Sequence, residues 1–149
     1  MKILEIGKVE LASLCYLNKE RYPFLLESVN HNDNNRYSIL FAFPSESIVL
    51  NSLSDFDFLN ELESQYKSSN LNSILPFSGG WFVYLSYELI GQIEPILSRE
   101  LHTSELPIAY AVKIPSAIII DYQSHTTYLI DQDSDQNRID TILTDIELI

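Results

Sequence analysis

The stretch that decides the fold is AIIIDYQSHTTYLID, residues 117–131. Residues 117–120 form an unbroken apolar run with three consecutive isoleucines, which is typical of a strand in a protein core. Residues 121–124 then supply a turn, and residues 125–131 return with β-branched and aromatic side chains. The sequence therefore predicts a β-hairpin built around a core strand.

Further strands and helices are predicted on both sides of this hairpin. The other strands are short aromatic or aliphatic runs bounded by prolines, glycines or loop residues, at 22–29, 36–43, 47–50, 81–87 and 110–114. Helices are predicted at 9–18, from Ser54 to about Lys67, and at 135–149, because apolar residues recur there at helical spacing. Residues 88–93 are expected to form one helical turn before Pro95. The fold class is therefore α+β, with about seven strands and three helices.

Three local patterns carry more specific expectations. Ser54–Asp57 resembles a capping box, so the second helix is expected to open at this serine. Gly79-Gly80 predicts either a tight turn or a backbone that passes close to another group. Residues 81–87 are apolar on both alternating faces, so this strand is expected to be buried on both sides.

The charge composition excludes several classes of partner. The 149 residues include 21 acids and 9 bases, for a net charge of −12. An excess of acids disfavours nucleic acid and anionic membranes, because both attract clustered lysine and arginine. The single cysteine, Cys15, excludes an internal disulfide and indicates a reducing compartment.

Residues 121–149 alone carry seven acids and one base, Arg138. A solvated face is the expected explanation for this excess. The spacing Asp131-x-Asp133-x-Asp135 matches the start of an EF-hand calcium loop, but the sixth position is Gln136 rather than glycine. The sequence therefore argues against a calcium loop here.

The residues show no catalytic motif of their own. His31, His102 and His125 lie far apart, and none has a second histidine or cysteine at metal-ligand spacing. No nucleophile elbow or phosphate-binding glycine loop is present. The best candidate is Glu27-Ser28 at the end of a strand, where a carboxylate and a hydroxyl could hold an ammonium group. The alternative is a strand end with a local turn bond.

Several motifs in order resemble one enzyme family. They are PFLLES at 23–28, RYS at 36–38, PFSGGWFVYLSYEL at 76–89, LP at 106–107 and AIIIDY before HTTYLI at 117–130. They resemble the opening of chorismate-utilising enzymes, namely component I of anthranilate synthase and of para-aminobenzoate (4-amino-4-deoxychorismate) synthase. The resemblance covers about residues 10–149.

The resemblance implies a non-catalytic part of a larger enzyme. The resemblance implies that the chain is a single N-terminal domain with a sandwich-like arrangement of antiparallel strands, and that the C-terminal chorismate-binding domain is absent. That domain supplies the Mg²⁺ ligands and the acid and base residues, so no catalytic or metal residue is assigned here. The chain alone is expected not to aminate chorismate. The implied partners are a glutamine amidotransferase, component II, and the enzyme's own C-terminal domain, in the cytoplasm.

The resemblance also implies a tryptophan-sized pocket. Leu26, Glu27 and Ser28 are expected to line it, with Arg36 and Tyr37 close by on the next strand. The indole would rest on the apolar strand, and the ammonium group would meet the Glu27 carboxylate. This pocket is a feedback site in the anthranilate branch and is structural in the para-aminobenzoate branch.

The para-aminobenzoate branch is the preferred interpretation. About 21 residues precede Tyr22, a short lead, and Trp81-Phe82 and residues 91–95 resemble that branch. Ser86 stands where many relatives have glycine. Anthranilate synthase component I and a free-standing small-molecule-binding module remain as alternatives. Cut free of a catalytic domain, the fragment is expected to self-associate through residues 81–87 or through the helix at 139–149.

Overall fold

A computed structural model describes residues 1–28, 36–66, 74–97 and 105–149 of the chain. In these ranges it contains eight strands and four α-helices. The strands are β1 (Lys2–Ile6), β2 (Phe24–Leu26), β3 (Tyr37–Ala42), β4 (Ser47–Leu50), β5 (Gly80–Leu85), β6 (Ala109–Ile114), β7 (Ser116–Asp121) and β8 (Thr126–Asp131). The helices are α1 (Leu11–Leu17), α2 (Phe58–Gln65), α3 (Ile90–Ile93) and α4 (Gln136–Glu147), and two 3₁₀ turns lie at Tyr87–Leu89 and Pro95–Leu97.

The predicted α+β class with antiparallel sheets is confirmed, with one strand and one helix more than expected. The additional strand is β1, which pairs antiparallel with β8. Its residues alternate between half-buried and exposed, which is the pattern of a strand with one covered face. The helix beyond the predicted three is α3, a single turn of four residues, and it lies within the segment 88–93 where one helical turn was expected.

The chain divides into two compact units. The first comprises the described residues of 1–45, 71–80 and 114–149, and the second those of 46–70 and 81–113. No helix in the described ranges is both long and apolar enough to cross a membrane.

The first unit is built on a five-stranded sheet in the order β1-β8-β7-β3-β2. Successive side chains of a strand point to opposite faces, so each face of β7 has its own core. On one face, Ile118 packs with apolar residues of α1 and α4. On the other face, Ala117 and Ile119 pack with Ile130 and with Phe77, whose ring meets that of Phe41 edge to face at 5.1 Å.

Helix α4 therefore has its apolar side covered within this unit. Ile139 and Ile142 are fully buried, and Leu143 and Ile146 pack against the same core. The expectation that this helix offers a surface for self-association was wrong for these four side chains. Of the large apolar side chains from Gln136 onward, only Leu148 and Ile149, which follow the helix, are exposed.

The second unit contains a three-stranded sheet in the order β4-β6-β5. Its core includes Leu50, Phe58, Leu89 and two small residues of β6, Ala109 and Ala111. The small β6 side chains leave room for the ring of Phe58, which is fully buried.

Two expectations about the second unit were wrong. Helix α2 begins at Phe58 rather than near Ser54, because the carboxylate of Asp57 accepts the N–H of Asn60 at 3.0 Å and caps the helix. Strand β5 is not buried on both sides, since Val83 and Leu85 are exposed. An apolar sequence shows only that a strand can be buried, and in the described part of the structure the second half of β5 remains accessible to solvent.

The close approach predicted at Gly79-Gly80 is confirmed at the first glycine. Gly79 has a φ of +103°, a conformation that side chains other than glycine rarely adopt. A Cβ at this position would lie 2.7 Å from the Cβ and Cδ of Gln132. The glycine is therefore required both by the backbone conformation and by the neighbouring side chain.

Candidate functional site

The first unit contains a cavity of about 950 Å³. Three segments form it: the end of β1 with the start of α1, the residue that follows β2, and the turn between β7 and β8. The lining residues are Glu5, Ile6, Lys8, Val9, Glu10, Leu11, Glu27, Ile120, Asp121, Tyr122, His125, Thr126 and Thr127. Small-molecule sites span roughly 300–1,000 Å³, so the volume suits a ligand of amino-acid size or larger.

The lining combines an acidic rim with an apolar floor. Glu5, Glu10 and Glu27 are exposed carboxylates, and the only lysine is Lys8. Glu10 accepts a hydrogen bond from the hydroxyl of Ser13 at 2.7 Å. A rim of this charge favours a ligand that carries a cationic group, while the floor accepts an apolar body.

Ser28 is fixed next to this cavity by the antiparallel pairing of β2 and β3. The register that sets Leu26 opposite Ile39 brings Ser28 beside the start of β3. Its N–H donates to Ser38 Oγ at 3.0 Å, and its hydroxyl donates to the carbonyl of Tyr37 at 2.7 Å. The only hydroxyl proton of Ser28 is therefore used within the fold, and its oxygen keeps acceptor capacity.

Ser28 connects to the cavity wall through a second pair of hydroxyls. Ser38 Oγ and Tyr122 Oη lie 3.0 Å apart, and Tyr122 lines the cavity. Ser38 is fully buried. A change at Ser28 would thus reach the cavity through the buried Ser38.

Arg36 does not present its guanidinium to the cavity. Its Nε donates to Asp121 Oδ1 at 2.8 Å and its Nη2 to Asp121 Oδ2 at 2.6 Å. This two-point bond ties the start of β3 to the end of β7, where Tyr37 and Asp121 are paired in register. The guanidinium also lies over the Tyr37 ring, 4.8 Å from its centre.

Asp121 is the lining residue that Arg36 holds in place. Its side chain is only 3% exposed. The hydrogen bonds from Arg36 hold the pKa of Asp121 well below its usual range, against the opposing effect of burial. Its Oδ1 also accepts the N–H of Gln123 at 3.0 Å, which shapes the turn before His125. Asp121 is therefore a structural carboxylate that is already neutralised.

The structure distributes the five sequence-predicted residues over different positions. Glu27 lines the cavity, whereas Leu26 is 52% exposed and is not among the lining residues. Ser28, Arg36 and Tyr37 support the wall through the contacts described above. Whether these residues bind tryptophan stays a prediction.

The sequence analysis missed the other cavity residues. They come from β1 and the segment before α1 and from the β7–β8 turn, for which no site was predicted. One signal was the turn predicted at residues 121–124; in the structure His125, which directly follows it, adopts a φ of +55°, unusual for a residue other than glycine. Lys8 and Glu10 carry no comparable signal, because charged residues in a loop are ordinary.

The described residues do not fit a magnesium site. No group of three or more His, Cys, Asp or Glu side chains in that part of the chain could hold a metal ion. Asp131, Asp133 and Asp135, the residues with calcium-loop spacing, are each paired with Arg138. No metal-dependent step is therefore assigned to these residues.

The fold has a counterpart among solved structures. A crystal structure of anthranilate synthase component I from Streptococcus pneumoniae TIGR4 matches with a TM-score of 0.62 and 22% sequence identity, covering 99% of this chain and 36% of that chain. The fold is thus that of the N-terminal domain of anthranilate synthase component I. No protein-family model matches the chain.

Two curated relatives are similar to the chain in sequence. The "Anthranilate synthase component I-like protein" of Synechocystis sp. is 26% identical over 115 residues, which is 73% of this chain and 24% of that protein. The "Anthranilate synthase component 1" of Lactococcus lactis is 26% identical over 152 residues, which is 92% of this chain and 33% of that protein. The chain is similar to part of each of these two proteins and spans about a quarter to a third of their length.

Proposed function

We propose that the chain is the N-terminal domain of a chorismate-utilising synthase. The order of the motifs from Pro23 to Ile130 supports this, as do the names of the two relatives. In such an enzyme a C-terminal domain would bind chorismate and Mg²⁺, and a glutamine amidotransferase would deliver ammonia. The whole enzyme would act in the cytoplasm, and this domain would have no catalytic residue.

The role proposed for this domain is to hold tryptophan or a similar aromatic amino acid. The observation that carries the proposal is the position of Glu27, an exposed carboxylate on the rim of a cavity of about 950 Å³. A carboxylate at that place can accept charge-assisted hydrogen bonds from an ammonium group. Val9, Leu11 and Ile120 provide apolar surface for the ring. Ser28, Arg36 and Tyr37 would then position the wall.

For the branch of the family, we propose the para-aminobenzoate type, which replaces the 4-hydroxyl of chorismate with ammonia. Trp81-Phe82 and the segment 91–95 support it. The second candidate is the anthranilate type, because both relatives and the solved neighbour carry that name. A free-standing binding module would also be consistent with the cavity.

The branch is tested on the complete gene product supplied with chorismate, ammonia and Mg²⁺. The para-aminobenzoate type would form 4-amino-4-deoxychorismate and no anthranilate, and added tryptophan would not inhibit it strongly. Direct release of anthranilate, with strong inhibition by tryptophan, would establish the second candidate instead. No conversion of chorismate by a gene product that ends near Ile149 would favour the binding module.

The ligand role is tested on the 149-residue chain by calorimetric titration with tryptophan. Glu27→Gln should weaken binding by roughly 10- to 100-fold, because a charge-assisted hydrogen bond contributes about 1.5–3 kcal/mol. Glu20→Gln is the matched control, since Glu20 is also an exposed glutamate of the first unit but is not among the lining residues. Ser28→Phe should also abolish binding by displacing the wall. Equal affinities for all variants would contradict the proposal.

A further inference from the structure

One row of side chains crosses the sheet of the first unit at the cavity. The strand register sets Ser38 of β3 opposite Ile120 of β7, and Ile120 opposite Thr127 of β8. Thr127 is in turn opposite Ile6 of β1. Directly opposed residues of neighbouring strands point to the same face of a sheet. These four side chains therefore share the face that packs against α1 and α4.

The row contains two buried hydroxyl groups, and they differ in their partners. Ser38 Oγ accepts the N–H of Ser28 and shares a hydrogen bond with Tyr122 Oη. Thr127 is only 7% exposed and lines the cavity, yet its hydroxyl makes no hydrogen bond with any residue in the described ranges. A buried hydroxyl normally has a partner, because leaving it unsatisfied costs free energy. The capacity of Thr127 for a hydrogen bond is thus available to an occupant of the cavity.

The surroundings of this hydroxyl are apolar. Ile6 and Ile120 flank Thr127 in the row, and both line the cavity together with Val9 and Leu11. A ring that packs on these side chains excludes water from the hydroxyl. The ring then either supplies a polar atom or leaves the hydroxyl unsatisfied, and a site of this kind rejects ligands that lack the matching group.

We propose that Thr127 Oγ1 binds a polar atom on the ring of the ligand and thereby selects tryptophan over aromatic ligands without such an atom. This inference rests on the amino-acid site proposed at Glu27. The indole N–H can donate to Oγ1, whereas the ring of phenylalanine offers no polar atom.

The positions of Glu27 and Thr127 suit the two ends of such a ligand. Glu27 directly follows β2, and Thr127 on β8 lies three strands further along the sheet, which corresponds to roughly 14 Å. One aromatic amino acid, held at each end by a side chain through a hydrogen bond of about 2.9 Å, spans this distance. The ammonium group would then lie at the acidic rim and the ring nitrogen at the apolar floor.

The proposal is tested by calorimetric titration of the 149-residue chain with tryptophan and with benzothienylalanine, in which sulfur replaces the indole N–H. The wild-type chain should bind tryptophan roughly three- to tenfold more tightly. Thr127→Val keeps the shape of the side chain and should remove most of this preference. Thr126→Val is the matched control and should retain it: Thr126 also lines the cavity, but its hydroxyl already donates to the carbonyl of Ser124 at 3.2 Å.

Thermal unfolding of the ligand-free chain separates a ligand role from a structural one. Thr127→Val should not lower the melting temperature, since no partner in the described part of the chain loses a bond. Ser38→Ala, at the other buried hydroxyl, should lower it by at least about 2 °C, because the N–H of Ser28 loses its acceptor.

The outcomes distinguish this inference from the proposed function. Equal affinity of the wild-type chain for the two ligands, a preference that persists in Thr127→Val, or a loss of melting temperature in Thr127→Val equal to that in Ser38→Ala would each overturn the role of Thr127 and leave the site at Glu27 in place. A wild-type chain that binds neither ligand would overturn both.

Discussion

The guanidinium of Arg138 binds both carboxylate oxygens of the fully buried Asp131, with Nε 2.7 Å from Oδ2 and Nη2 3.0 Å from Oδ1. Asp131 ends β8 and Arg138 lies in the first turns of α4, so this bond fixes the helix to the sheet. The hydroxyl of Ser116 and the N–H groups of Asp133 and Asp135 donate to the same carboxylate. Its acceptor sites are therefore well satisfied.

Replacing Asp131 by asparagine should lower the free energy of unfolding by about 3 kcal/mol, because the partly buried guanidinium of Arg138 loses its one fully buried carboxylate partner. The loss stays at the low end of the usual range because Arg138 keeps its pairs with Asp133 and Asp135. Asp133→Asn is the control, since Asp133 binds the same guanidinium but is 63% exposed. It should cost less than about 1 kcal/mol. Equal losses in urea unfolding would contradict this account.

Stability should fall in acid partly through Asp121. Its pKa in the folded chain is lowered by the hydrogen bonds from Arg36, so the carboxylate contributes stability above the unfolded pKa of about 3.9, and this contribution is lost as the pH falls. Asp121→Asn should be less stable than wild type at pH 7 and should lose less stability between about pH 4 and pH 2. The measurement is the urea midpoint over this pH range. Parallel curves for the two proteins would show that Asp121 does not contribute.

Sequence patterns predicted the structure correctly where it depends on residues that are neighbours in the chain. Strand β7 was recognised because its core residues, Ile118–Ile120, are consecutive, and the glycine pair at 79–80 predicted either a tight turn or the close approach that the structure has at Gly79. The start of α2 was not recognised, because Ser54 and Asp57 lie three residues apart and either side chain can cap the N-terminus of a helix. The glutamine Gln92, 34 residues away, accepts the N–H of Phe58 and helps to fix the observed start.

The candidate site was predicted only in part, because local sequence patterns indicate some of its residues while others depend on contacts between distant segments. Glu27 follows an apolar strand, which is a local signal, and it lines the cavity. Arg36 was expected near a ligand, yet its partner is Asp121, 85 residues later in the chain. A pairing over that distance depends on how β3 and β7 align, and no pattern within either segment specifies it.

The buried Tyr22 gives a test of the contact between the β2 segment and α4. Its hydroxyl donates to Asp145 Oδ2 at 2.6 Å, and burial together with this carboxylate raises the pKa of Tyr22. Tyr22→Phe should cost about 1–2 kcal/mol of unfolding free energy, because Asp145 loses a donor but keeps Arg21. Tyr16→Phe, at an exposed tyrosine, should change it by less than about 0.5 kcal/mol. Indistinguishable midpoints for the two variants in chemical unfolding would argue against the hydrogen bond.

Gly79 provides the sharpest test of the first unit, because its φ of +103° and its neighbour Gln132 both exclude a side chain. Gln132 cannot easily move away, since its N–H donates to the carbonyl of Pro115 at 2.8 Å. Gly79→Ala should therefore lower the free energy of unfolding by about 2 kcal/mol or more. Gly7→Ala should stay within about 0.5 kcal/mol, because no atom lies within 4 Å of its added Cβ.

A double variant separates the two causes at Gly79. Gln132→Gly removes the whole side chain that a Cβ on residue 79 would meet, but it leaves the positive φ of residue 79 unchanged. Gly79→Ala should thus cost less in the Gln132→Gly background than in the wild type, while a loss of about 1 kcal/mol or more persists from the backbone conformation. Thermal unfolding of the four proteins in this cycle gives the coupling. A loss for Gly79→Ala that is no larger than that for Gly7→Ala would show that the glycine is not required there.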